Sequence, residues 1–311
     1  MTRTRTLQVH PVGHDGAEDV VVATSGRHEG SVYTGTVDGA VLRVSHDGSR
    51  VEQVGSTGGR PLGIEVDPDG RLLVCDSHRG VLRMDPDTGA VEQVLAAVDG
   101  VPMVFCNNAA IASDGTVWFS DSSRHFGIDR WKDDFVQDTA SGRLLALRPD
   151  GSVETVLDGL RFANGVALAP DESFVVVAET RGRTLVRHWL TGDRAGTRDL
   201  LVDGLPGYPD NIARGSDGLI WVSIASPTDP VVERLGRAPL FVRKGVTKIP
   251  ERFQPAPKRT CRVQAYDAAG TLVHDLDLDT PDFHMATGVR EHEGRVWIGS
   301  LHEPSVGVVD L

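Results

Sequence analysis

Gly207-Tyr-Pro-Asp-Asn-Ile-Ala-Arg-Gly-Ser-Asp-Gly-Leu-Ile-Trp-Val222 is the stretch of sequence that decides the fold. It places an acid, Asp210, just before a short apolar run. A Ser-Asp-Gly turn follows, and then a second apolar run that carries Trp221. Short runs rich in β-branched and aromatic residues, separated by an Asp-Gly turn, are typical of antiparallel strands. The stretch therefore predicts a β-hairpin with an acidic residue at its entrance.

The same design recurs along the chain. Six segments begin with a turn residue and continue with an apolar triplet, and they start at Gly30, Gly70, Gly115, Glu172, Gly218 and Gly294. Successive starts are separated by 40, 45, 57, 46 and 76 residues. The shorter spacings match one four-stranded blade of a β-propeller, and the longer ones imply insertions. The sequence therefore predicts an all-β fold, a six-bladed β-propeller with four-stranded blades.

A ring of blades must also be closed, because an open first or last blade leaves an unpaired strand edge. The N-terminal run Leu7-Gln-Val-His10 can supply the outer strand of the last blade, whose own last strand ends near Leu311. Residues 1–311 are accordingly expected to form a single domain.

Two inserts account for the long spacings. Residues 124–138 interrupt the third blade and residues 228–259 the fifth, and neither alternates polar and apolar residues as a strand does. Both mix apolar residues with charged ones. We expect partly helical inserts that cover one mouth of the central channel. The alternative is surface decoration packed against the sides of the blades.

Composition limits the classes of function. The net charge of −12 disfavours nucleic-acid binding, which needs a basic face, and suits a protein that attracts cations. The N-terminus lacks the apolar segment of a secretory signal, and no apolar run approaches the roughly 18 residues of a membrane span. We therefore expect a cytoplasmic protein with a small-molecule substrate and no membrane partner. Its three distant cysteines are expected to be buried thiols, with one disulfide and one free thiol as the alternative.

Counting back from each turn residue identifies the residue at which each innermost strand begins. Glu18, Leu62, Asn107, Asn164, Asp210 and Thr287 are the six residues found in this way. In a propeller, such positions surround the channel at one mouth. Two carboxylates and two amides among them carry the oxygen ligands that Ca²⁺ prefers, whereas the absence of His and Cys disfavours zinc.

Glu18, Asn107, Asn164 and Asp210 are thus the candidate metal ligands. The expected ion is Ca²⁺, although another divalent cation is possible, and Mg²⁺ is less suited because it demands a tight octahedron. The alternative is local: Asn and Asp are common at strand starts because their side chains bond nearby backbone groups.

Several of these stretches resemble a known family. They are Gly16-Ala-Glu-Asp19, Gly59-Arg-Pro-Leu-Gly-Ile64, Phe162-Ala-Asn-Gly-Val-Ala-Leu-Ala-Pro170, Val177-Ala-Glu-Thr180 and Leu205-Pro-Gly-Tyr-Pro-Asp-Asn-Ile212. They look like the strictosidine-synthase-like branch of six-bladed propellers, which is similar to the gluconolactonase (senescence-marker-protein), paraoxonase and diisopropyl-fluorophosphatase families. The resemblance covers nearly the whole chain. It implies calcium-dependent hydrolysis of a lactone or related ester, and it places the metal ligands of such lactonases on the same four residues.

In such a mechanism the metal polarises the substrate carbonyl, and a separate base activates water. Asp210 is the first candidate base. His125 and His284 are the other candidate catalytic residues, because histidine has the more suitable pKa. The candidate substrate contacts are Arg60, Phe126, Trp131 and Thr287.

Two alternative functions remain open from the sequence. One is a condensing or cyclising enzyme of secondary metabolism, like the strictosidine synthases. The chain departs from those enzymes at Thr287, where the resemblance implies a catalytic glutamate, and threonine cannot serve as that acid–base group. The other alternative is a non-catalytic propeller that binds a ligand and is stabilised by a metal ion.

Overall fold

The computed structural model describes residues 5–249, 257–278 and 280–311. Six four-stranded antiparallel sheets are arranged as the blades of a propeller. The first strands of neighbouring blades contact one another around the central axis, so the strand of each blade that comes first is the innermost. The predicted six-bladed fold is confirmed.

Each of the first three blades follows chain order from the axis outwards. Blade 1 contains β2 (Val20–Val22), β3 (Val32–Gly35), β4 (Ala40–Val44) and β5 (Val51–Ser56). Blade 2 contains β6 (Pro61–Val66), β7 (Leu72–Asp76), β8 (Gly80–Met84) and β9 (Val91–Leu95), and a small hairpin of β10 (Ala97–Val98) and β11 (Val101–Pro102) follows it. Blade 3 contains β12 (Cys106–Ile111), β13 (Val117–Asp121), β14 (Gly142–Leu147) and β15 (Val153–Leu160).

The last three blades complete the ring. Blade 4 contains β16 (Ala163–Leu168), β17 (Phe174–Glu179), β18 (Thr184–Trp189) and β19 (Arg198–Val202). Blade 5 contains β20 (Gly207–Arg214), β21 (Ile220–Pro227), β22 (Arg262–Tyr266) and β23 (Leu272–Asp277). Blade 6 contains β24 (Ala286–His292), β25 (Arg295–Ser300), β26 (Ser305–Asp310) and the N-terminal strand β1 (Gln8–Pro11).

The N-terminal strand closes the ring as predicted. β1 pairs antiparallel with β26, with Gln8 opposite Val308 and His10 opposite Val306. Blade 6 therefore combines both ends of the chain, which removes the open edge that a purely sequential ring would expose.

The apolar core is divided among the spaces between blades. Six clusters of buried side chains each draw on two neighbouring blades, and together they cover all six blade-to-blade interfaces. Tyr33, Trp118, Trp221 and Trp297 occupy equivalent places in the second strands and are almost fully buried in these clusters. These four rings therefore belong to the packing between blades. The continuous burial of apolar surface around the ring is what holds the blades together.

Both inserts contain helices. The insert of blade 3 forms α1 (Trp131–Gln137), preceded by a short 3-10 helix at Ile128–Arg130. The insert of blade 5 forms α2 (Pro230–Gly236) and α3 (Leu240–Val246), and its residues 250–256 lie outside the described residues. A further 3-10 helix spans Gly192–Arg194 in blade 4.

Strand polarity decides on which side the inserts lie. Each insert connects the second strand of its blade to the third. Because the second strand runs antiparallel to the first, it ends at the mouth where the first strand begins. The inserts and the starts of the innermost strands therefore share one mouth of the channel.

Cys75, Cys106 and Cys261 are all buried, and none of them forms a disulfide. Within the described ranges, no helix is long and apolar enough to cross a membrane.

Candidate functional site

A β-bulge at the start of the innermost strands positions the site. In blades 2 to 6, three residues of the first strand span the same distance as two residues of its partner, for example from Pro209 to Ile212 opposite Ile224 to Val222. Each bulge leaves two consecutive residues outside the regular ladder. Bulges change the direction in which side chains point, and they are frequent beside functional sites.

The first residue of each bulge pair belongs to a set that we call the entrance ring. Its members are Leu62, Asn107, Asn164, Asp210 and Thr287 from the bulges of blades 2 to 6, together with Glu18 at the matching place in blade 1, two residues before β2 begins. All of them except Thr287 line one cavity of about 120 Å³ at the mouth shared with the inserts. The structure therefore brings the four predicted metal ligands into a common cavity.

The two asparagines of the entrance ring are oriented by hydroxyl groups. The Asn107 side-chain amide donates to Ser122 Oγ at 2.9 Å, and the Asn164 amide donates to Thr180 Oγ1 at 3.1 Å. Both amide oxygens are buried and have no hydrogen-bond partner. A buried acceptor without a partner costs about 1–3 kcal/mol, so two of them in one cavity call for an explanation.

The two carboxylates of the ring are electrostatically strained. Burial raises the pKa of Glu18 well above its ordinary value, and the nearby charges of Asp210 and Asp19 raise it further. Burial also raises the pKa of Asp210 to about 7, although a hydrogen bond from the Asn164 side chain opposes this effect. Burial therefore disfavours the charged forms of both acids, and for Glu18 the neighbouring acids add to this effect.

The second residue of each bulge pair forms a second, deeper set, the channel ring. It alternates polar residues with glycine: Asp19, Gly63, Asn108, Gly165, Asn211 and Gly288. A Cβ on Gly63 would lie 2.5 Å from the Cα of Asn108, and one on Gly165 would lie 2.0 Å from the backbone nitrogen of Ile212. Only glycine leaves room here for the polar neighbours to meet on the axis.

The polar members of the channel ring connect blades and hold Glu18. The Asn211 side-chain amide donates to Glu18 Oε1 and Oε2 at 3.3 and 3.4 Å. Asp19 accepts hydrogen bonds from the Asn108 amide and from the backbone nitrogen of Ile64, both at 3.1 Å. Burial raises the pKa of Asp19 to about 7 against the nearby charge of Arg290. These contacts fix the carboxylates of blade 1 with respect to the rest of the ring.

The donor set fits a hard cation. Two carboxylates can balance a divalent charge, and the free oxygens of Asn107 and Asn164 are neutral ligands of the kind Ca²⁺ accepts. Among the residues that the structure describes, no group of three or more His, Cys, Asp and Glu side chains is placed to hold a metal ion. The entrance ring contains only two acids, so half of its donor set consists of amides.

The two predicted catalytic histidines lie elsewhere. His125 is exposed beside the start of the blade 3 insert, and it is not among the described residues that line the cavity. His284 is outside the cavity lining as well and pairs with Glu303 and with the ring of His302. Of the three candidate catalytic residues, the geometry brings only Asp210 to the site.

The predicted substrate contacts divide similarly. Trp131, at the start of α1, lines the cavity, whereas Phe126 lies under the guanidinium of Arg130 and does not. Arg60 is buried and donates to the backbone oxygen of Gly16, and its charge lowers the pKa of Glu18 from behind the ring. Burial lowers the pKa of Arg60 itself.

Thr287 is fully buried, and its hydroxyl donates to the backbone oxygen of Glu18 at 2.8 Å. In blade 6 the cavity is lined instead by Met285 and Leu301. The Thr287 side chain therefore contacts the backbone of blade 1 at Glu18 and does not point into the cavity.

Several residues that line the cavity were not identified from the sequence. Phe105, Phe162 and Tyr208 come from loops and strand starts near the ring, and Phe135 comes from α1. Single aromatic residues in loops follow no period, so the sequence carried no signal for them. Thr180 lies in the quoted Val-Ala-Glu-Thr stretch and directly follows the second strand of blade 4. Since that strand pairs with the one that carries Asn164 near its start, the hairpin register was the signal that could have identified it.

Comparisons with known proteins agree with this architecture. The family described as SMP-30/gluconolactonase/LRE-like region matches residues 23–234. An adipocyte plasma membrane-associated protein of Salmo salar is 33% identical over 90% of this chain and 73% of its own length. A strictosidine-synthase-like protein (number 6) of Arabidopsis thaliana is 33% identical over 91% of this chain and 76% of its own.

Among solved structures, a gluconolactonase from Xanthomonas campestris shares the fold. Its TM-score is 0.71 at 20% identity, over 99% of this chain and 90% of that one. The resemblance inferred from the sequence is thereby confirmed. With a family match across more than half of its length, the chain belongs to the SMP-30/gluconolactonase/LRE-like family.

Proposed function

We propose that this protein is a metal-dependent hydrolase that opens a lactone or a related ester in the cavity above the entrance ring. The observation that carries the proposal is the pair of unpartnered, buried amide oxygens of Asn107 and Asn164, which share one cavity with two strained carboxylates. A bound cation would satisfy both amide oxygens and both acids at once. Membership of a family whose description includes gluconolactonase supports a lactonase-type reaction.

Glu18, Asn107, Asn164 and Asp210 would hold the ion, and Ca²⁺ suits them best because all four offer oxygen. When bound, the ion supplies Lewis-acid polarisation of the substrate carbonyl. The protein itself prearranges the ligands. Ser122 and Thr180 keep the amide oxygens turned into the cavity, and Asn211 fixes the Glu18 carboxylate.

We propose that Asp210 acts as the general base and accepts a proton from the attacking water. Of the three candidate catalytic residues, it alone is among the described residues that line the cavity, and it receives hydrogen bonds from the Asn164 side chain and the Asn211 backbone. Burial raises the pKa of Asp210 to about 7 in the protein without an ion, and the positive charge of a bound ion would lower it. Aromatic and aliphatic side chains form the wall above the ring, and apolar surroundings strengthen the electrostatic interactions below it.

Chelation followed by metal restoration tests the proposal. Purified protein should contain a stoichiometric divalent ion, lose turnover of small lactones after exhaustive chelation, and regain it with Ca²⁺. Asp210→Asn should lose both ion and activity, whereas Asp203→Asn, the same change at an exposed acid, should retain both. Turnover that survives complete chelation would contradict the metal requirement. A thermal shift with Ca²⁺ but no turnover across lactones and esters would indicate a non-catalytic, metal-stabilised propeller.

A condensing function finds no support at the corresponding position. The hydroxyl of Thr287 is committed to the Glu18 backbone, and the side chain does not line the cavity. No acid–base group from blade 6 lines the described part of the cavity, where Met285 and Leu301 stand. Supplying an amine together with an aldehyde should therefore give no product.

A further inference from the structure

We propose that the group carried by the substrate is apolar, so that the enzyme acts on lipophilic lactones or esters rather than on polyhydroxylated sugar lactones. This inference rests on the proposed hydrolase function and narrows its substrate class. It comes from the cavity wall above the entrance ring, which the metal-ligand argument does not use.

The wall is built from aromatic and aliphatic side chains. The blades supply Leu62, Phe105, Phe162 and Tyr208, and the insert helices supply Trp131, Phe135, Val232, Leu235 and Val246. The aromatic rings pack edge to face, with centroids 5.4 Å apart for Phe105 and Phe162 and 4.9 Å apart for Phe135 and Tyr208. Such contacts hold the rings in place, so the apolar wall is formed before a ligand arrives.

The Tyr208 hydroxyl and the Asp229 carboxylate of the wall are already bound to the protein, and the wall also contains Lys132 and Lys258. The Tyr208 hydroxyl donates to Glu233 Oε1 at 2.9 Å and accepts from the backbone nitrogen of Asp229. The Asp229 carboxylate caps α2 by accepting from the backbone nitrogens of Val231 and Val232.

The remaining hydroxyls of the wall are committed as well. The Thr247 hydroxyl accepts from the side chain of Gln137 and donates to a backbone oxygen. The Ser226 hydroxyl accepts from the backbone nitrogen of Lys258 and donates to the backbone oxygen of Pro227. Among the described lining residues, the buried side-chain acceptors without a hydrogen-bond partner lie at the floor, on Asn107 and Asn164.

This distribution discriminates between substrates. A sugar lactone would bring several hydroxyls against the wall, and each one left without a partner would weaken binding by about tenfold or more. An alkyl or aryl group on the substrate would instead strengthen binding, because its apolar surface would move from water to the apolar wall. The reacting carbonyl would lie at the polar floor, and the apolar group would extend between α1 and the two helices of the blade 5 insert.

A homologous series of lactones tests the inference. From γ-butyrolactone to γ-decalactone, kcat/KM should rise about two- to fourfold per methylene, the upper value corresponding to about 0.8 kcal/mol for each buried CH₂. Glucono-1,5-lactone should be turned over at least about 100-fold less efficiently than γ-decalactone. Equal or better turnover of the sugar lactone would overturn the apolar class and leave the hydrolase function intact.

Two leucines of the same insert provide a matched pair of variants. Leu235 lines the cavity, whereas Leu240 is 46% exposed and is not among the lining residues. Leu235→Asn should reduce the preference for γ-decalactone over γ-butyrolactone at least about fivefold, and Leu240→Asn should leave the preference at the wild-type value. An equal effect of both variants, or of neither, would contradict the placement of the apolar group.

Binding of a non-hydrolysable analogue separates this inference from the proposed reaction. The 5-alkyl-2-pyrrolidinones carry the same alkyl groups on a lactam, and their affinity can be measured by calorimetry. Affinity that rises with chain length, without turnover of any lactone or ester, would refute the hydrolase and support the apolar ligand class. Affinity independent of chain length would refute the apolar class whatever the activity.

Discussion

Replacing Asp210 by Asn should change stability in opposite directions with and without calcium. In the protein stripped of divalent ions, Asp210 is an acid held beside Glu18 and Asp19 in a buried cavity, and its pKa is raised to about 7. At pH 8 it must ionise at a cost to the folded state. The uncharged asparagine avoids that cost, so the stripped variant should be more stable than the stripped wild type.

The magnitude follows from the pKa of Asp210. A rise from 3.8 to about 7 corresponds to about 4 kcal/mol, at about 1.4 kcal/mol for each pKa unit. Asp210 retains some exposure and interacts with two other acids, so we expect roughly half of this bound, about 2 kcal/mol. For a chain of this length that free energy corresponds to a rise in Tm of about 3 °C.

The pH dependence has a definite sign. Because the folded-state pKa of Asp210 is raised, the folded protein binds more protons than the unfolded chain between about pH 4 and pH 7. The stability contributed by protonated Asp210 is complete below pH 4 and is lost as the pH rises through 7. Stripped wild-type protein should therefore lose stability across this window, and stripped Asp210→Asn should lose less.

Calcium should reverse the order of the two proteins. An ion that binds only the folded state stabilises it by about 2.7 kcal/mol at 100 times its Kd. The wild type should gain this stabilisation, whereas Asp210→Asn should lose most of it because one of two charged ligands is gone. Thermal unfolding of both proteins is measured at pH 5 and pH 8, each with chelator or with Ca²⁺. Asp203→Asn serves as the control. A stripped variant less stable than the stripped wild type at pH 8, with equal calcium shifts in both, would refute the reasoning.

Three further predictions concern the supports of the site. Removing a hydroxyl that orients an asparagine, as in Ser122→Ala or Thr180→Val, should weaken Ca²⁺ binding about tenfold by calorimetry, and Thr180→Ser should retain it. Arg290→Met should lower the free energy of unfolding in urea by about 3 kcal/mol, because it leaves the buried acid Asp19 and the partly buried acid Glu65 without their positive partner. Gly165→Ala should yield little folded protein by circular dichroism, because its Cβ would overlap the next blade, whereas Gly245→Ala on α3, where a Cβ meets nothing within 4 Å, should fold normally.

Much of the fold was predictable because the repeat is local. Each turn, apolar run and entrance-ring residue lies within about a dozen residues of the next feature, so counting from the turn found the same strand position in every blade. The closing strand was predictable for a different reason, since an unpaired edge in a ring has only the opposite terminus to pair with.

The rest of the site depends on how loops fold over the ring, which the repeat does not encode. His125 and His284 were chosen because histidine is a common general base and because their segments lie near the mouth, and neither is among the described residues that line the cavity. Phe135 reaches the cavity because α1 turns it inward, whereas Phe126, nine residues earlier, lies against Arg130. Thr287 matched the register by count, but its hydroxyl found a nearer partner in the Glu18 backbone.

The bulge explains why the entrance-ring residues could be found by counting, whereas the role of the channel-ring residues that follow them could not be read from one blade alone. It places two consecutive residues in two different environments, the cavity and the channel axis. At the cavity position the residue type can vary with function, as Leu62 beside Asn107 shows. At the axis position neighbouring blades share one space, so a polar side chain in one blade requires glycine in the next, as with Asn108 beside Gly63. The alternation of polar residues with glycine therefore follows from packing in the closed ring. It can be recognised only when all six blades are compared.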